Sequence, residues 1–133
     1  MNALPDPGGE AGRWLAQAVD DLRAAQGIAA DSDLPARVAC FLAHLTAEKA
    51  LKACRIGSGA PFRKSHDLFD LCRYGAEGMA AMFADADLRM LNPWSIDGRY
   101  PADVDDATVA EARECIAAAE RILDTATASL RRP

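Results

Sequence analysis

Four residues of one helical stretch carry groups that hold protons and bind anions. His44, Glu48, Lys52 and Arg55 follow one another at intervals of four, four and three. Together with Arg37 they fall within about 80° of one helical wheel. A His with a Glu four residues on is a candidate acid–base pair. Lys and Arg further along the same band are suited to a phosphate. A second group follows in the basic run Arg63, Lys64, Ser65 and His66, and a third in Arg99 and Tyr100. The candidate ligand set is therefore Lys52, Arg55, Arg63, Lys64, His66, Arg99 and Tyr100, with His66 and His44 as the candidates for proton transfer. Each has a plainer reading. His44 can be a histidine held by Glu48 inside an interface, and His66 one that bonds locally where a helix starts. Lys64 can belong to a solvated loop, and Tyr100 can pack its ring and bond its hydroxyl within the fold.

The stretch 40–55, C-F-L-A-H-L-T-A-E-K-A-L-K-A-C-R, has neither Gly nor Pro and is dominated by strong helix formers. Its apolar positions cover most of the wheel. Cys40, Ala43, Ala47, Ala50, Leu51 and Cys54 take one side, and Val38, Leu42 and Ile56 another, widened by Phe41 and Leu45. A helix of this kind needs neighbours nearly all round and belongs at the centre of a bundle. Phe41 and Leu45 also interrupt the polar band, which predicts a homodimer formed through a face of this helix.

The neighbours are legible too. Residues 1–9, with two Pro and two Gly, read as a loose tail, and a first helix is expected over about 10–28. Asp31, Ser32 and Asp33 offer caps, and Pro35 fits the first turn of the second helix, which continues to about residue 56. The Gly-rich connector 57–65 leads to a third helix with Ser65 as its cap and Asp67 at its positive start. That connector lacks the Gly before Lys64 that a P-loop needs, and a helix precedes it rather than a strand. Short helical turns are expected over 79–83 and 85–91, stopped at Asn92-Pro93. The last helix is expected to start near 103–106, with Val109, Ala112, Ile116, Ala119, Leu123, Ala126 and Leu130 as its seam. The fold class is all-α: an up-and-down four-helix bundle with short extra helical turns between the third and fourth helices, one domain over 10–132.

With 133 residues, half of them hydrophobic, the chain has material for one modest core. A net charge of −5 excludes a global basic field that recruits nucleic acid, although Lys49, Lys52, Arg55, Arg63 and Lys64 gather mid-chain. Four cysteines without a C-x-x-C pair are expected to be free thiols in a reducing cytoplasm. Two His without metal-ligand spacing give no metal site, and no cofactor is expected. The N-terminus has no signal-peptide pattern, and no apolar run is long enough to span a membrane.

The run A-E-K-A-L-K-A at 47–53 resembles the HEPN family, the higher eukaryote and prokaryote nucleotide-binding domains. Trp14-Leu15 with Ala18, Asp21 and Leu22 resembles that family's first helix. His66-Asp67-Leu68 with Leu71 resembles its H-D-L motif, and Arg99-Tyr100-Pro101 the R-Y-P ahead of its last helix. The resemblance covers roughly residues 11–130. It implies a helical domain that binds a nucleotide or RNA and partners a small nucleotidyltransferase, in the manner of a toxin–antitoxin pair. Many members resemble metal-independent ribonucleases with an Arg…His pair at the last helix, but no His follows Arg99 here. The resemblance therefore favours a non-catalytic module, the alternatives being a ribonuclease toxin and a purely structural helical dimer.

Overall fold

The computed structural model describes residues 3–61, 64–73, 78–95 and 106–131. Three long helices frame it: α1 over Glu10–Ala29, α2 over Ala36–Gly57 and α6 over Val109–Leu130. Among the described residues between α2 and α6 lie three short ones: α3, Leu68–Arg73; α4, Met79–Met82; and α5, Asp85–Leu91, which runs into a 3-10 turn at Asn92–Trp94. No strand occurs among the described residues. The all-α bundle is thus as expected, with a third helix of only 6 residues.

Helix α2 packs against both α1 and α6, and α3, α5 and the 3-10 turn also reach it. Alanine makes this close approach possible. Ala18 and Ala25 of α1, Ala39, Ala43, Ala47, Ala50 and Ala53 of α2, and Ala112, Ala118, Ala119 and Ala126 of α6 are all fully buried. Larger side chains, among them Leu15, Leu51, Leu68, Leu71, Leu91 and Ile122, fill the spaces between the helices. Polar ties fix the register. The Thr46 hydroxyl donates to the Ala18 carbonyl at 3.2 Å, Lys49 meets Asp21 at 2.7 Å, and Arg121 grips the Asp87 carboxylate with Nε and Nη2.

Three local expectations are corrected. The last helix starts at Val109 rather than near 103–106. Thr108 accepts from the Glu111 amide while the Glu111 side chain accepts from the Thr108 amide, and this reciprocal box sets the start. Helix α2 has Pro35 at its N-cap and no side-chain cap; Asp31 instead bonds the Asp33 amide. At α3 the cap is Asp67, whose Oδ1 accepts from the amides of Phe69 and Asp70, while Ser65 accepts from Asp67 itself. The segment ahead of α1 turns back on it: Leu4 packs against the core and the Ala3 carbonyl accepts from Arg131 at 2.7 Å. After α2 the chain reverses at Gly59, whose φ of 78° suits a residue without a Cβ, and the Ala60 amide donates back to the Arg55 carbonyl.

Candidate functional site

The polar band of α2 faces inward. Arg37 at its start is exposed, but His44, Glu48, Lys52 and Arg55 are buried, because α3, the loop ahead of it and the α5–3-10 corner lie over them. Their polar groups bond one another and the backbone of that layer, except Nε of Arg55, which is buried without a hydrogen-bond partner.

Glu48 is the hub. Its Oε1 accepts from Nδ1 of His66 at 2.8 Å and lies 3.3 Å from Nε2 of His44. Its Oε2 accepts from Lys52 Nζ at 3.0 Å. Burial alone would push this carboxyl up. The hydrogen bonds from His44, His66 and Lys52, with the charge of Lys52, outweigh that and bring it from 4.5 down to about 2. His44 is held at its other end as well, since Nδ1 lies 3.0 Å from the Leu91 carbonyl. A carbonyl only accepts, so Nδ1 of His44 carries a hydrogen. The ammonium of Lys52 also sits 5.5 Å over the ring centroid of Trp14, which brings α1 into the cluster.

Arg55 does other work. Its Nη1 donates to the Leu71 carbonyl at 3.2 Å and its Nη2 to the Pro61 carbonyl at 2.6 Å. Arg55, a residue only 3% exposed, ties the end of α2 to α3 and to the connecting loop. Lys52 and Arg55 are thus both engaged inside the fold.

His66 and Lys64 reach the surface. With Ser65, Asp67, Asn92 and Ser95 they line an open cleft of about 390 Å³. The His66 side chain is 42% exposed while the carboxylate that holds it is 6% exposed, so a buried charge orients a ring at the cleft wall. Glu48 is ionised and only accepts, so Nδ1 donates to it. Neutral His66 then keeps the lone pair of Nε2, the geometry of a base or of an anion contact once protonated. Among the described residues, no group of three His, Cys, Asp or Glu is placed to hold a metal ion.

Of the residues picked from sequence, the structure brings together His44, Lys52 and His66 around Glu48, and puts Lys64 beside His66. Arg55 stands apart, at the loop side of α3. Arg63, Arg99 and Tyr100 lie outside the described residues. Two participants escape a reading by periodicity. Asn92 accepts from the Leu68 amide at 2.9 Å and donates to Asp67 at 3.2 Å, locking the 3-10 turn to the start of α3. The Leu91 carbonyl holds His44. The Asn92-Pro93 stop signal marked the place but not the contact.

The four cysteines are free and buried. Burial pushes the Cys54 thiol up to about 12 and the Cys72 thiol to about 11; the Cys54 shift is reinforced by Cys72. Cys115 is raised by its hydrogen bond with Cys40 and by burial. Cys54, Cys72 and Cys115 are thus held as thiols rather than as nucleophilic thiolates. No described helix is long and apolar enough to cross a membrane.

Comparison with known proteins gives two kinds of match. A family profile described as HEPN domain matches residues 11–129. Among solved structures, TT1696 from Thermus thermophilus superposes with a TM-score of 0.75 at 29% identity, covering 90% of this chain and 97% of that one. ST0689, described as an archaeal HEPN homologue, gives 0.72 at 24% identity, covering 92% and 99%, and speaks to the fold. No curated protein matches the sequence.

Proposed function

The chain belongs to the HEPN domain family, and we propose that it serves there as a non-catalytic module binding the phosphate of a nucleotide or RNA. The observation that supports this most is the contact between Glu48 and His66 at the wall of the cleft shared with Lys64. A buried carboxylate that fixes a half-exposed imidazole beside an ammonium prepares donors for an anion. Ser65, Asn92 and Ser95 add neutral polar groups in the same wall. The proposed contacts are Lys64 and His66, with Arg63, Arg99 and Tyr100 as further candidates; Lys52 and Arg55 support the site from within.

The module acts as a homodimer and partners a small nucleotidyltransferase. Leu34 is 45% exposed, and Val38, Phe41 and Leu45 follow it as a half-buried apolar stripe along α2, which suits an isologous interface.

One observation favours the ribonuclease reading. His66 with its Nδ1–H held by a buried carboxylate has the arrangement of a general base. The absence of any His after His66 weighs against it, since the last helix then lacks the Arg…His pair.

The deciding experiment is a calorimetric titration of adenosine 5′-monophosphate into the purified chain, repeated with Lys64→Ala and His66→Ala. Saturable binding that weakens in both variants and with added salt supports the module. Absence of binding to the unaltered chain removes it.

A further inference from the structure

We propose that the cleft between α5 and α6 is a binding site for a small organic cation, an ammonium or guanidinium carried on an apolar body. The cleft holds about 330 Å³ and shares no lining residue with the one at His66. Phe83 and Ile122, both buried, and Met82 supply its apolar wall. Met82, 37% exposed, is one of three large apolar side chains left at the surface among the described residues. A cleft of that volume, apolar with a few charged groups at its edge, suits one small molecule.

The charged groups decide the sign of that molecule. Asp87 is the buried one: its side chain is 8% exposed, while that of its partner Arg121 is 58% exposed. Nη2 of Arg121 donates to Oδ1 at 2.8 Å, and Nε lies 3.2 and 3.1 Å from the two oxygens. A carboxylate this deep in an apolar setting demands a cation. The cation it has stands largely in water, where its hold is screened and open to competition. Asp124 follows Arg121 by three residues on α6 and lines the same cleft. Glu120 adds its negative charge at Arg121. Two carboxylates in the wall against one guanidinium leave a negative site. An incoming cation meets Asp124 and competes with Arg121 for Asp87, while its apolar body covers Met82 and Phe83.

The test titrates phenethylamine into the isotope-labelled chain and follows the methyl signals of Met82 and Ile122 by NMR. The control is 2-phenylethanol, of nearly the same shape and uncharged. The amine is expected to shift both methyls saturably and to bind roughly tenfold tighter than the alcohol, an advantage that shrinks with added salt. Asp87→Asn removes that advantage. Arg121→Gln, which takes away the competing cation, raises the affinity for the amine several-fold and leaves that for the alcohol unchanged. This rise is the outcome that a merely structural ion pair would not give. Equal binding of amine and alcohol by the unaltered chain overturns the proposal without a variant, as does the lack of any saturable shift. Amine binding that Asp87→Asn leaves intact, or that Arg121→Gln weakens in a chain with an intact melt, overturns it too. Where Asp87→Asn does not fold, the comparison of the two ligands and the Arg121→Gln chain decide.

Discussion

Oε1 of Glu48 lies 2.8 Å from Nδ1 of His66, across 18 residues of sequence and from a buried helix to a surface cleft. This one contact couples the stability of the bundle to the orientation of the candidate ligand-binding ring. A change at either end should therefore be felt at the other.

Acid should loosen the fold through Glu48. Its carboxyl ionises near 2 in the folded chain and near 4.5 when exposed. The folded pKa is the lower one, so its stabilising contribution is complete above pH 4.5 and is lost as pH falls through about 2. Glu48→Gln leaves His44, Lys52 and His66 without their common carboxylate and should cost about 3 kcal/mol at neutral pH. Circular dichroism across the acid range checks both: the variant should show a shallower decline between those pH values than the unaltered chain.

Lys64 and Arg55 should behave oppositely, though both stood in the basic set read from sequence. Lys64→Ala removes an exposed charge at the cleft, weakening nucleotide binding about tenfold with little change in Tm. Arg55→Ala leaves the Leu71 and Pro61 carbonyls without their donor and should destabilise the fold by about 2 kcal/mol. Paired thermal melts and titrations separate the two; a stable Arg55→Ala chain with lost binding would reverse the assignment.

The isolated chain should leave RNA essentially intact. No His lies beyond His66, so the last helix has no Arg…His pair. Incubation with labelled RNA in the presence of a chelator is the check. Cleavage that His66→Ala abolishes while preserving the melt would establish the general-base reading instead.

Sedimentation at micromolar concentration should give a dimer. Replacing Leu34 and Val38 of the apolar stripe with Asp should yield a helical monomer. A monomeric unaltered chain would leave that stripe without the occupant assigned to it.

The helices were legible because each long segment keeps an unbroken three-and-four spacing, and alanine marks where they approach. The last helix's start was misplaced because the acidic run ahead of it also suits a helix N-terminus; the Thr108–Glu111 box, equally visible in the sequence, decides. The site was legible as residue types and not as an arrangement. A polar stripe on α2 looks the same whether water or a further layer of chain covers it. Here the layer is built by α3 and the Asn92 turn, whose contacts with α2 span long separations that periodicity does not encode. Lys52 and Arg55 were therefore expected at a surface they do not reach, while Lys64 and His66 do reach one.

The four buried thiols provide a built-in clock for opening of the structure. A thiol reagent reaches each only when its surroundings part, so the order of labelling reports which region yields first. Cys72 sits on the six-residue α3, which Arg55 ties to α2, and should be modified earliest. Cys40 and Cys115, hydrogen-bonded to each other between α2 and α6, should stay silent until the long helices separate. A ligand seated beside α3 would slow the first event and leave the second nearly unchanged.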